Sequence, residues 1–228
     1  MFDLTIIITT CKRLKRLTEC IRSVKKLEPN CNILLMIDDN DWESYYYAVA
    51  EKIPFILSSE KREWIAQINL GIYACTTEYF VYLNDDMVFT QENQMQRALD
   101  IFRNKFPDGN GLITFDDGIS NGKVATQGLS SKTYVKTLGG YLLDPAYVHY
   151  SGDKELSLVS MERNCYFYLS EIKIQHNHYS VTGERDQVYQ GSENLYWKQD
   201  CIEFVKRWGE GCDIQLKNGT WNGRNNEQ

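Results

Sequence analysis

Several things are scarce or missing in this 228-residue chain, and each absence narrows its class. None of the seven cysteines (11, 20, 31, 75, 165, 201 and 212) stands in a C-x-x-C pair. An odd count without such pairs argues against a disulfide framework or a zinc ribbon and fits a reducing, cytoplasmic setting. No apolar run approaches the ~18 residues needed to span a bilayer. The first such run, Leu4 to Ile8, is too short and wrongly flanked for a secretory signal. Basic charge is not in excess: 25 Lys and Arg against 31 Asp and Glu give a formal net charge of -6. That balance disfavours general coating of nucleic acid. Internal repeats and low-complexity linkers are absent as well. What remains is a chain, 43% hydrophobic, long enough to bury one sizeable core.

The first half alternates between two periodicities. Leu4 to Thr9 reads as a buried strand and is followed by Leu14, Leu17, Ile21 and Val24 at helical spacing. Asn32 to Ile37 reads as the second strand and Trp42 to Lys52 as a helix. Phe55–Leu57 is a short strand before a helix over Arg62 to Cys75, and Tyr79 to Leu83 is the fourth strand. Strands apolar throughout, alternating with helices, predict a mostly parallel sheet covered on both faces. Ligands of such sheets lie beyond the carboxyl ends of the strands. Thr9-Thr10, Asp38-Asp39 and Asn84-Asp85-Asp86 all fall there. Adjacent carboxylates repel and are uncomfortable in a core, so a strand ending in Asp85-Asp86 needs either solvent or a cation.

After about residue 108 the pattern loosens into Gly, Ser and Thr with short strand-like pieces. FDDGISNG (115–122) predicts a hairpin turn, with Asp116 and Asp117 as turn residues rather than ligands. Leu156 to Arg163 reads as a short helix and Glu171 to Gln175 as a strand. Glu193 to Trp208 reads as an amphipathic helix with Trp197, Ile202 and Val205 on its apolar face, and residues 217–228 as a polar tail.

Five fragments, in order, resemble glycosyltransferase family 2. They are TIIITTCKRLKRLTECIRSV (5–24), ILLMIDDND (33–41), INLGIYACTTEYFVYLNDDMVF (68–89), LGGYLLDPAYVHYSGDKEL (138–156) and IQHNH (174–178). Two positions depart from the family pattern: Asn84 replaces the first acid of the D-x-D motif, and Gly152 stands where an acid often precedes Asp153. The resemblance implies a GT-A-like single α/β domain. Residues 1–107 would form the nucleotide-sugar half and 108–216 the acceptor half. It also implies a Mn²⁺- or Mg²⁺-dependent inverting transferase using a nucleotide-sugar donor, a UDP-sugar by preference.

The resemblance also assigns roles. Asp86 and His176, with His178 second, would hold the metal, which prefers oxygen ligands and needs only one or two carboxylates. Asp85 would meet the ribose, and Asp38, with Asp39 beside it, the base. Thr9, Thr10 and Arg62 would line the nucleotide pocket, and Asn69 would support packing. Asp153 would be the general base, with Glu155 in reserve. Trp64, Tyr141, Tyr147 and Tyr150 are candidate platforms for an acceptor. Lys12, Arg13, Lys15, Arg16, Arg22, Lys25 and Lys26 on the first helix read as a solvated face or as contacts to phosphates, an anionic membrane surface or a nucleic-acid acceptor. The acceptor expected is a glycan, a lipid-linked glycan or a modified DNA base.

Rival readings fit less of the chain. Asp39 and Asp41 of MIDDND match the nucleophile pair of a haloacid-dehalogenase-like phosphatase, but Trp42 stands where Thr or Val is expected. A sugar-nucleotide pyrophosphorylase needs a glycine-rich phosphate loop after the first strand, and TTCKRLKR has no glycine. A non-catalytic sugar-nucleotide-binding module remains the third reading.

Overall fold

The chain is described here by a computed structural model covering residues 3–184 and 186–220. The first half builds β1 (Leu4–Thr10), α1 (Leu14–Leu27), β2 (Asn32–Ile37), α2 (Trp42–Ala50), β3 (Phe55–Leu57), α3 (Trp64–Ala74) and β4 (Tyr79–Asn84). Then come β5 (Met87–Phe89), α4 (Gln94–Lys105), β6 (Leu112–Asp116), β7 (Gly128–Ser131), α5 (Lys132–Thr137) and α6 (Gly152–Glu162). The chain closes with β8 (Tyr166–His176), α7 (Tyr179–Thr182), α8 (Gln187–Trp208) and α9 (Cys212–Asn218). One sheet runs through both halves in the order β3-β2-β1-β4-β7-β6-β8-β5.

Register explains how distant residues meet. β1 pairs in parallel with β2 and β4, setting Thr10 beside Ile37 and Thr9 beside Asn84. Three strands therefore end at one level, and whatever follows them shares one crevice. The pleat divides the core. Ile6, Ile8, Leu35, Val81 and Leu83 face α1 and α4, while Ile7, Met36, Phe80 and Tyr82 face α3 and the later helices. Each such fully buried aliphatic side chain stabilises by roughly 1.5–3 kcal/mol. α1 buries Leu17, Cys20, Ile21 and Val24, one stripe at helical spacing. Gly71 lets α3 sit on β1, because a Cβ there would lie 2.6 Å from Ile7 Cγ2.

The second half departs from expectation in three places. The helix α4 occupies a stretch for which the sequence reading offered no element. It buries Met95, Ala98, Leu99 and Phe102, and Glu28 Oε1 accepts the Gln94 and Met95 N–H groups at its start. β8 is longer than predicted: it runs parallel to β6, passes an irregularity at Phe115/Asp116, and its far end pairs antiparallel with β5. The helix α8 turns a different side inward. Asp200 and Phe204 are buried, whereas Ile202 and Val205 are 59% and 41% exposed and Trp197 is 44% exposed. The inward side joins the Asp200 carboxylate, which accepts the Val148, His149 and Tyr150 N–H groups, to apolar Phe204 and Trp208. The polar tail expected from residue 217 begins with the last two residues of α9, Lys217 and Asn218, and residues 221–228 lie outside the described residues.

Candidate active site

The crevice beyond β1, β2 and β4 is a cavity of about 370 Å³. Thr9, Thr10, Asp38, Arg62 and Asp85 line it, and so do Asp153 and His176 from the second half of the chain. Sequence positions more than a hundred residues apart thus share one space. Trp64, Tyr150 and Trp197 add aromatic wall.

Asp38 is buried, and its Oδ1 accepts the Arg62 N–H at 2.9 Å and Gln67 Nε2 at 3.4 Å. It thereby fixes the entry to α3 while presenting its carboxylate to the cavity. The Arg62 side chain is part exposed and pairs with Glu60. Asp39 does not line the cavity; it accepts the Asn40 side-chain amide at 2.6 Å. Asp41 is the N-cap of α2, accepting Ser44 N–H and Lys12 N–H. A phosphatase pairing of Asp39 with Asp41 therefore finds neither carboxylate facing this cavity. Cys11 also lines the wall, its thiol pushed up to about 12 by burial and then by Asp38.

The acidic pair after β4 is almost wholly buried and carries its own cations. Asp85 Oδ2 accepts Thr10 Oγ1 at 2.9 Å, and Asp85 Oδ1 pairs with Arg13 at 2.8 Å. The same guanidinium reaches Asp86 Oδ2 at 3.3 Å and Asp186 at 2.9 Å, and Arg16 stands 3.7 Å from Asp86. Arg13 and Arg16 are thus pulled inward, against the expectation of a solvated face. Burial pushes the Asp85 carboxyl above its ordinary range; Arg13 pulls it back and neighbouring Asp86 raises it again.

His176 arrives by register: β8 pairs it with Met87, one residue past Asp86. Its Nε2 lies 3.5 Å from Asp86 Oδ1 and its Nδ1 3.8 Å from Asp117 Oδ2. Neither ring nitrogen makes a hydrogen bond among the described residues. Burial depresses the imidazole, but the Asp117 and Asp86 carboxylates outweigh that and raise it to about 9. Asp117 is the turn residue expected, accepting Ile119 and Ser120 N–H groups, yet it also backs His176. His178 lines the cavity with its ring 5.2 Å from that of His176.

Across the cavity, Asp153 and Glu155 open α6 and part company. Asp153 faces the cavity and accepts only the Lys154 N–H among the described residues, at 2.9 Å. Burial raises its carboxyl, with Lys154 opposing. Glu155 points into the protein, where the Tyr147 hydroxyl, Arg207 (2.8 Å) and the Trp208 indole (3.0 Å) all donate to it. It is a structural acid, which removes it as the reserve base. Tyr147 is buried in the same network and offers no platform, and Tyr141 does not line the cavity either. Gly152 sits close against α3: a Cβ there would meet Ile65 Cδ1 at 2.7 Å, so a larger residue would require Ile65 to shift.

Two supports hold this wall. Asn69 takes Leu142 and Leu143 N–H on its Oδ1 and donates to Leu143 O at 2.7 Å, the packing role expected. Asp200 collects the N–H groups of Val148, His149 and Tyr150 at 2.7–3.0 Å. The sequence reading missed Asp200; a lone acid on the inward side of a helix was its only signal.

The Glycosyl transferase family 2 model matches residues 5–142, more than half of the chain. The chain belongs to glycosyl transferase family 2. Asp153 and His176 lie beyond the matched segment of this family 2 chain. Among curated proteins it is similar to Beta-1,4 N-acetylgalactosaminyltransferase 1 of Homo sapiens, 29% identical over 99 residues covering 42% of this chain and 18% of that one. The Mus musculus protein of the same name is 28% identical over the same shares. The chain therefore spans under a fifth of the length of these relatives. The mannosyltransferase PcManGT from Pyrobaculum calidifontis, solved in complex with GDP-Man and Mn²⁺, superposes with a TM-score of 0.64. It is 10% identical, covering 94% of this chain and 69% of that one. S. aureus TarS superposes with a TM-score of 0.60 at 10% identity, covering 92% and 44%. These likenesses establish the GT-A-type α/β fold expected from the sequence. No helix among the described residues is long and apolar enough to cross a membrane.

Proposed function

We propose that this chain transfers a glycosyl group from a nucleotide-sugar donor, a UDP-sugar by preference, to an acceptor hydroxyl with inversion. The observation that carries the reading is the shared cavity: strand-end groups suited to a nucleotide and the carboxylate of Asp153 line one space. Residues 1–107 supply the donor side and 108–216 most of the acceptor side. Thr9, Thr10, Asp38 and Arg62 hold the nucleoside, and Asp85 reaches toward the ribose.

A divalent cation suits the site on chemical grounds. Asp86 Oδ1 and His176 Nε2, 3.5 Å apart and buried, are an oxygen and, once its proton is displaced, an imidazole nitrogen close enough to share one ion. No group of three or more such ligands converges among the described residues, but Mn²⁺ and Mg²⁺ keep several waters and need few protein ligands. When bound, such an ion offsets the charge of the departing diphosphate. The chain's own residues do the rest. Asp153 accepts the acceptor's hydroxyl proton as that oxygen bonds the anomeric carbon and the carbon–phosphate oxygen bond breaks. Trp64, Tyr150 and Trp197 offer apolar faces to a glycan or lipid-linked glycan acceptor, a reading that the glycosyltransferase names of the relatives support more than a modified DNA base.

Calorimetry over UDP, GDP and the corresponding sugar nucleotides, with Mn²⁺, Mg²⁺ or chelator, tests the donor and the metal together. The expected result is metal-dependent binding of one nucleotide class. Tight, metal-independent binding of a sugar nucleotide that is never turned over would support a binding module instead.

A further inference from the structure

Arg13 occupies the place where a cation is most needed. One guanidinium spans Asp85 Oδ1 at 2.8 Å and Asp86 Oδ2 at 3.3 Å, with its Nε on Asp186 at 2.9 Å. Its side chain is 11% exposed, and the two acids after β4 are 2% and 1% exposed. Arg13 and Asp85 line both the donor cavity and a second cavity, while Asp86 lines the second alone, so the ion pair of Arg13 and Asp85 stands between the two spaces. A buried acidic pair with no cation would be strongly destabilising. The metal-free chain meets that need internally.

We infer that Arg13 is a resident cation competing with the divalent ion for the acidic pair, so that donor and metal bind with positive coupling. The inference rests on the metal-dependent reading above. The planar guanidinium fork fits carboxylate and phosphate oxygens alike. As a donor diphosphate enters the cavity, Arg13 exchanges carboxylate oxygens for phosphate oxygens, and Asp86 becomes available beside His176. Asp186 gives the side chain a foothold outside the acidic pair during the exchange. Without donor, an incoming ion must displace a buried ion pair in a place already facing Arg16 and the His176 imidazole. The coupling should lie in the usual range for linked sites, about 5- to 150-fold in affinity.

The test titrates the full chain, R13Q and R13K with Mn²⁺ alone and with UDP, with GDP in parallel, following the paramagnetic resonance of free Mn²⁺. The wild-type chain should bind Mn²⁺ weakly alone and more tightly, by about 5- to 150-fold, once the nucleoside diphosphate is present. R13Q should bind Mn²⁺ alone more tightly by a comparable factor and gain less from the nucleotide, and R13K should fall between. Thermal unfolding supplies a second readout: R13Q should melt lower than wild type without metal and recover more from saturating Mn²⁺. If R13Q does not fold without metal, R13K carries the comparison. Mn²⁺ binding equal in all three chains would leave the metal site standing and overturn the inference. Mn²⁺ binding in none, with or without nucleotide, would overturn both the metal reading and the inference.

Discussion

Asp85 with Asp86, and Asp153 with Glu155, are two close pairs of carboxylates that the fold treats in opposite ways. The first pair follows β4, buried except at its two ends and paired in parallel with β1 and antiparallel with β7, and is neutralised from outside its own element, by Arg13, Arg16 and His176. The second opens a helix and is split: Glu155 is absorbed by three donors from Tyr147, Arg207 and Trp208, while Asp153 is left facing the cavity. Two pairs of carboxylates in the sequence thus yield a charge cluster after β4 and, at the start of α6, a base facing the cavity without a salt bridge of its own. A transferase needs both, because cations must meet the leaving diphosphate and a proton acceptor must meet the incoming hydroxyl.

Breaking the first pair should have the largest effect. Asp86→Ala should lower transfer by about three orders of magnitude or more, since a Lewis-acid contribution of several kcal/mol is lost. Circular dichroism should show the fold retained, and wild-type turnover in chelator would contradict the assignment. Within the second pair, Glu155→Ala should cost about 2–4 kcal/mol by leaving the Tyr147 hydroxyl and the Trp208 indole without their acceptor, while Arg207 keeps Asp144 and Glu203. For a chain of this size that is a fall in Tm of roughly 4–16 °C. Transfer per folded molecule should change little, which separates Glu155 from Asp153.

Acid should reach Asp85, whose carboxyl burial raises, well before it reaches Glu63 at the cavity rim. Glu63 is held down to about 2 against an ordinary 4.5, because hydrogen bonds from His149 and Lys61 outweigh the burial that would raise it. A depressed carboxyl contributes stability above its unfolded value, and that contribution is lost as pH falls from about 4.5 towards 2. Glu63→Gln should remove about 2 kcal/mol near neutrality and flatten the acid limb of stability against pH. An unchanged acid limb would show that His149 and Lys61 do not hold Glu63 in solution. The smallest effect belongs to the aromatic wall. Trp197→Ala should raise the acceptor KM by about three- to tenfold, the worth of a stacking contact, with donor affinity unchanged. A change in donor affinity instead would move Trp197 to the nucleotide side.

The parallel half was legible because strand ends carry their signal locally. β2 and β3 fall on the residues read from the sequence, and the register of β1, β2 and β4 brings Thr9, Asp38 and Asp85 together as expected. Asp39 was misplaced because the chain turns immediately after Asp38, and alternation no longer governs direction there. α4 was missed although Met95, Ala98, Leu99 and Phe102 stand at helical spacing, because its Gln, Arg and Asn residues masked the stripe. Arg13 and Asp200 were illegible for a deeper reason: each is buried by charge, and the partners lie 72 and about fifty residues away. Periodicity reports apolar burial and is silent on paired ions.

The central claim is that Asp153 accepts the proton while the opposite wall holds the donor. Its most direct test is single-turnover transfer by Asp153→Asn, with donor affinity measured on the same preparation by calorimetry. The account predicts transfer lower by about 10²–10⁴-fold and donor affinity nearly unchanged, because it assigns the nucleoside to Asp38 and Asp85 and the ion that meets the diphosphate to Asp86. In the wild-type chain the rate should rise with pH through the raised Asp153 value as the carboxyl deprotonates, and the variant should lose that limb. Unchanged transfer, or donor binding lost together with transfer, would contradict it.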